Sequence, residues 1–259
     1  EATLPAVIAD IPRHVPGVDQ VEVLVIDDGS TDGTVEAAWR AGADHVLSFT
    51  RNRGLGHALR AGFDACLALG ADVVVNTDGD NQYFGGDIPG LVAPVLAGRA
   101  DMVIGDRQTA KIAHFSPAKR LFQRLGSRVV GRLAGVSVPD VASGFRAYRR
   151  EALFALATRA GFDHTVEHTI QAGHLGMAVV SVPIRTNPKS RESRLFSSIG
   201  EFVVRSAAIS LRTWATYRAL TVFSLLAALS LILGTLLGLR FVYYFLFTNE
   251  GHLHIQSVV

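Results

Sequence analysis

The chain has 259 residues, of which 49% are hydrophobic and 19% charged, and its mean hydropathy is +0.28. That composition excludes disorder and is more apolar than a purely soluble enzyme needs, so contact with a membrane is expected. The formal net charge of +2 is too balanced for a nucleic-acid binder on charge alone, although Arg185 to Arg218 holds seven basic and two acidic residues and is +5, leaving −3 elsewhere.

In chain order, Ala2 to Ile11 reads as a helix, and Val21 to Ile26 is an apolar, β-branched run stopped by Asp27-Asp28-Gly29-Ser30. A helix follows from Thr34 to about Ala41, a strand at His45 to Phe49, a helix from Leu55 to Leu69 and a strand at Asp72 to Thr77. Helix Ile88 to Leu96 and strand Asp101 to Gly105 repeat the period. Strands alternating with helices predict an α/β domain with a mostly parallel sheet, whose buried strands are continuous apolar runs. Ser116 to Leu133 reads as a helix, with Arg120, Arg124, Arg128 and Arg132 at four-residue steps. They form either a solvated face or a surface toward anionic lipid or a phosphate.

Leu195 to Tyr217 mixes apolar residues with spaced arginines and two aromatics, as expected of a helix lying in a membrane interface. Ala219 to Leu239 is uncharged over 21 residues, roughly 31 Å at about 1.5 Å per residue, enough to span a hydrocarbon core. Arg205, Arg212 and Arg218 precede it and only Arg240 follows, which predicts a cytoplasmic α/β domain. Cys66 is the single cysteine, consistent with a reducing compartment. The start at Glu1 and the apolar run building at the tail read as a fragment. The expected organisation is a catalytic domain over 1–194, an interfacial helix over 195–218, a transmembrane segment over 219–247 and the start of a further membrane segment over 248–259.

Asp78-Gly79-Asp80 follows the strand ending at Thr77, the edge of an open sheet where ligands bind. Two carboxylates one residue apart can face one hard divalent cation, with Gln82 adding a carbonyl; the alternative is an ordinary turn. Asp27-Asp28-Gly29-Ser30 reaches the same edge, either as a turn and helix cap or as an acceptor for a base N–H or ribose hydroxyl.

The succession DDGSTDGT, RNRGLGHALRAGF, DGDNQ, GDR and SGFRAYRRE resembles the family 2 glycosyltransferases of GT-A fold, in the dolichyl-phosphate mannosyltransferase-like branch that glycosylates polyprenyl phosphates. The resemblance covers about residues 1–194, with the family's first strand expected before Glu1. It implies inverting transfer of a sugar from a nucleotide-sugar of the GDP-mannose or UDP-glucose type to a polyprenyl phosphate in the lipid bilayer. It also implies that Asp27, Asp28 and Arg51 contact the donor, that Asp78, Asp80 and Gln82 hold Mg²⁺ or Mn²⁺ against the diphosphate, and that Ser143 and Arg146 lie beside the acceptor. Arg146 is expected to clamp a lipid phosphate, with a surface Arg at a strand end as the alternative. Arg191 and Arg194 stand where a lipid headgroup would meet the domain, as clamp or as membrane anchor.

A phosphate acceptor is already anionic at neutral pH and needs no strong base. A glycan hydroxyl would need one, and Glu167, between His164 and His168, is the candidate; its alternative is an exposed helix residue. Polymer synthases carry a Gln-x-x-Arg-Trp signature that neither Trp39 nor Trp214 follows, and no GxxxxGK[ST] loop supports nucleotidyl transfer. A non-catalytic nucleotide-sugar-binding scaffold is the reading from another class, against which the intact set of carboxylates weighs.

Overall fold

The computed structural model describes residues 1–109, 117–157, 164–188 and 199–247. Two compact units divide at Trp214 and Ala215. The first opens with α1 (Leu4–Asp10), β1 (Leu24–Asp27), α2 (Thr34–Arg40), β2 (His45–Ser48), α3 (Leu55–Ala68) and β3 (Val73–Asn76). A 3₁₀ turn at Gly85–Asp87 leads into α4 (Ile88–Leu96), then β4 (Met102–Asp106), α5 (Pro117–Ala134), β5 (Arg146–Arg149), α6 (Arg150–Ala155), α7 (His164–His174), β6 (Val179–Pro183) and α8 (Ile199–Tyr217). Each strand and helix predicted between Ala2 and Leu133 is present within three residues of its expected start. The second unit carries α9 (Ala219–Phe247), which runs 29 residues and continues past Arg240.

β1 and β2 pair in parallel, Leu24 opposite His45 through Asp27 opposite Ser48. The other four strands form a second sheet in the order β3-β5-β4-β6. β4 and β6 are parallel, while β5 runs antiparallel to both of its neighbours, with Ala147 opposite Val75 and Val103. The sheet is therefore mixed, and neither β5 nor β6 was marked by the strand signals in the sequence. β5 is four residues flanked by arginines, and its place between two strands, not its composition, buries Arg146, Ala147 and Tyr148 completely.

Apolar side chains fill both faces of this sheet. On one side Phe63, Met102, Ile104, Tyr148 and Ile170 form a core shared with α3, α5 and α7; on the other Leu91, Val95, Val103, Phe145 and Ala147 pack under α4. α5 lies closely on α7, because a Cβ on Gly173 would meet the Ala134 carbonyl at 1.9 Å. Ile209 of α8 packs on the first core and Ser210 and Thr213 are buried, so one face of the predicted interfacial helix covers protein. α9 has no buried residue and is, among the described residues, the one helix long and apolar enough to cross a membrane.

Candidate active site

Strands β1, β3 and β4 end at Asp27, Asn76 and Asp106, and the acidic motifs follow them in the chain. The DDGS turn is built around its own carboxylates. Buried Asp27 accepts from the Ser30 amide at 3.0 Å and the Ser48 hydroxyl at 2.6 Å. Burial opposes its charge, but these hydrogen bonds win and hold the carboxyl below its ordinary range. Asp28 accepts from the amides of Arg53 and Gly54 at 2.7 and 2.9 Å, one on each oxygen. Gly29, at φ +72°, makes the approach possible, since a Cβ there would lie 2.3 Å from the Arg51 carbonyl carbon. The two segments expected to meet the donor are thus locked together, with Arg51 exposed at their junction. Asp27 and Asp28 carry the turn itself, a role the sequence offered as the alternative.

Beyond β3, Asp78 and Asp80 are both partly buried. Burial, then the charge of Asp80, push the Asp78 carboxyl up to about 6, against the pull of Arg107. Asp80 accepts from the Gln82 amide at 3.1 Å and from Gln82 Nε2 at 2.7 Å. Gln82 thus donates twice to Asp80 and orients that carboxylate. Among the described residues no third Asp, Glu, His or Cys joins the pair. Two crowded carboxylates, one of them held back from ionising, suit a hard cation that keeps the rest of its shell for water and substrate phosphates.

The loop from Asp140 to Gly144 closes over this pair. Gly144 donates its N–H to the Tyr83 hydroxyl at 2.9 Å and accepts from Asn76 Nδ2 at 2.9 Å. A Cβ at Gly144 would stand 3.3 Å from both Asp78 carboxylate oxygens, so only a bare backbone fits comfortably. Ser143 is wholly buried, and its hydroxyl has no hydrogen-bond partner among the described residues.

Arg146 differs from expectation. It is 0% exposed, and its guanidinium donates to the Ser143 and Val141 carbonyls at 2.8 and 2.5 Å and to Thr169 Oγ1 at 3.3 Å. Fully buried at the start of the central strand β5, this guanidinium does not present itself to a lipid phosphate; it holds the loop that carries Gly144. Glu167 is also corrected. It is neither exposed nor open to a glycan but 4% exposed on α7, the helix that also buries His164 and His168. Burial, then Arg146, push the His164 imidazole down to about 3, and neither of its ring nitrogens has a hydrogen-bond partner among the described residues. Arg191 and Arg194 lie outside the described residues.

The structure supplies a cation that sequence reasoning did not assign. Arg107, 16% exposed, donates from Nε and Nη2 to the two oxygens of buried Asp140 at 2.7 and 2.8 Å. Burial opposes the charge, yet the adjoining carboxylate raises the guanidinium pKa and keeps it ionised. Its field is what pulls on Asp78. The signal was present in the GDR motif that closes β4, but its partner stands 33 positions away.

Comparison with known proteins agrees with this architecture. The model of the family described as Glycosyl transferase family 2 matches residues 1–155. The undecaprenyl-phosphate mannosyltransferase of Micrococcus luteus is 35% identical over 214 residues, 78% of this chain and 86% of the relative. The polyprenol monophosphomannose synthase of Mycolicibacterium smegmatis is 36% identical over 192 residues, 70% and 71% of the two chains. Glucosyl-3-phosphoglycerate synthase from Mycobacterium tuberculosis, in complex with Mn²⁺ and UDP-glucose, superposes with a TM-score of 0.58 at 25% identity over 83% of this chain and 74% of its own. The same enzyme with Mn²⁺, UDP and glucosyl-3-phosphoglycerate gives 0.61 at 24%, over 84% and 75%. A family match over more than half the sequence, on a sheet whose acidic motifs follow its strand ends, means that this chain belongs to glycosyl transferase family 2 and is a glycosyltransferase of GT-A fold.

Proposed function

We propose that the protein transfers a hexose from a nucleotide-sugar to a polyprenyl phosphate at the membrane, with Mg²⁺ or Mn²⁺ held by Asp78 and Asp80. The observation that carries this reading is the convergence of a crowded carboxylate pair after β3, a fixed, charged Arg107 after β4 and the bare backbone of Gly144 just before β5, the strand between them. The names of the two bacterial relatives support the acceptor, and the complex of the mycobacterial synthase with Mn²⁺ and UDP-glucose supports a nucleotide-sugar donor with a divalent cation.

The bound cation would supply positive charge for the departing diphosphate. Asp28, by clamping residues 53 and 54, shapes the wall on which the nucleoside rests. Arg107, held by Asp140, offers an anionic group a charge that needs no reorganisation. An acceptor phosphate oxygen bonds to the anomeric carbon as the bond to the nucleoside diphosphate breaks. That oxygen is anionic at neutral pH, so no general base is required, and the burial of Glu167 weighs against the glycan-hydroxyl alternative. The arginines preceding α9 favour a cytoplasmic catalytic unit.

The test is transfer of radiolabelled sugar from GDP-mannose and UDP-glucose to undecaprenyl phosphate in detergent, with Mg²⁺, Mn²⁺ or a chelator. Label should enter lipid only with metal and be abolished in Asp80→Ala. Labelling of a free glycan, or donor binding without turnover, would overturn the proposal.

A further inference from the structure

The turn that carries Asp78 and Asp80 is not held by its own residues alone. Asn81, directly after the pair, stands at φ +60° and is, among the described residues, one of two non-glycines with positive φ, a backbone state that asparagine tolerates but does not favour. From there the chain returns Gln82 onto Asp80, whose two oxygens accept from the Gln82 amide and Nε2. A distant segment lies against this turn. After β6, Thr186 bridges antiparallel to Tyr83, and the Asn187 N–H donates to the Gln82 carbonyl at 2.9 Å. The Asn187 carboxamide then reaches into the turn, Nδ2 donating to Asn81 Oδ1 at 3.3 Å and to the Tyr83 carbonyl at 3.4 Å. The segment is itself fixed. Arg185 donates from its amide, Nε and Nη2 to Asp87 at 2.6, 2.9 and 2.6 Å and lies 4.1 Å from the centroid of the Phe84 ring, and Pro188 disfavours a helical backbone at Asn187. On the other side of the turn the Thr3 hydroxyl donates to the Gly79 carbonyl at 2.7 Å, which leaves the Asn81 end to Asn187.

We propose that Asn187 is a positioning residue of the cation site: its carboxamide keeps Asn81 in the left-handed state from which Gln82 orients Asp80, so that affinity for a divalent cation depends on a side chain outside the carboxylate pair. The inference rests on the reading of Asp78 and Asp80 as cation ligands. A carboxylate free to rotate must be ordered when a hard cation binds, whereas one already oriented need not be, and groups that orient metal ligands set affinity by about 10–100-fold. The segment clamped by Asp28 is built separately, from the amides of residues 53 and 54, so nucleotide affinity without metal is an internal control.

The full chain in detergent is titrated with Mn²⁺ in the presence of UDP or GDP, the EPR signal of the free ion reporting binding against a protein-free blank. Asn187→Ala should raise the Mn²⁺ Kd about tenfold, while the nucleotide Kd measured without metal changes by less than about twofold. In sugar transfer the Mn²⁺ concentration for half-maximal rate should rise by the same factor, with the acceptor KM unchanged. Asn81→Gly supplies the second arm, since glycine holds a positive φ without support. In that background Asn187→Ala should alter the Mn²⁺ Kd by less than about twofold, the non-additivity of residues that act through one another. An Asn187→Ala protein that binds Mn²⁺ as the wild type does, or that loses the same affinity in both backgrounds, would overturn the inference. A parallel loss of nucleotide binding would overturn it in favour of a role in the stability of the fold. A wild-type protein that binds no Mn²⁺ would remove the cation reading itself and this inference with it, so the two failures are distinguishable.

Discussion

Arg146 is the residue at which a structural role and a substrate role give opposite results. Arg146→Met keeps most of the volume but strands the Val141 and Ser143 carbonyls, both in a buried environment, and the Thr169 hydroxyl loses one donor. Each stranded acceptor costs about 1–3 kcal/mol, and removing a buried charge returns part of that sum, so a net loss of about 3 kcal/mol is expected. For a unit of this size that lowers Tm by roughly 6–12 °C. Because the freed loop carries Gly144 against Asp78, kcat should fall while KM for the lipid acceptor changes little. Thermal melts in detergent and initial rates at varied acceptor concentration check both. A variant that melts with the wild type while its acceptor KM rises tenfold or more would refute this reasoning and restore the phosphate clamp.

Gly29→Ala should cost about 1–3 kcal/mol from its left-handed backbone and more from contact with Arg51, displacing the loop that Asp28 clamps; donor KM should rise about tenfold, and an unchanged donor KM with lowered Tm would separate the loop from donor binding. His164 is expected to shape the acid limb of stability. Its folded-state pKa of about 3 lies below its ordinary value of 6.5, so the unfolded chain takes up the proton first: stability is complete above about pH 6.5 and falls as pH drops toward 3, by roughly 2 kcal/mol at pH 5. His164→Leu should make that limb shallower in urea unfolding at pH 7 and pH 5, leaving the part due to His168, whose imidazole burial also holds well below its ordinary range. An acid limb as steep as the wild type's would show that His164 is not its source.

Much of this protein was legible in its residue order because the determining forces are local. Periodicity and turn residues placed α1 to α5 and β1 to β4, since helices and strands of those lengths declare the face they bury. The acidic pair at 78 and 80 was legible because a carboxylate following an apolar strand stands where an open sheet admits ligands, and 21 uncharged residues announce a possible span by length alone. Other features were decided only when distant segments met. β5 is a strand because it fits between β3 and β4, which reversed the expectation for Arg146 from a surface clamp to a buried tie. Arg107 owes its fixed charge to Asp140, and Asp28 its role to the amides of residues 53 and 54. Burial of Glu167 follows from α7 lying under α5. Residue order specifies which groups carry charge and which segments are apolar, but whether a charged group faces substrate, another side chain or a bare carbonyl depends on neighbours tens of residues away, which packing alone selects.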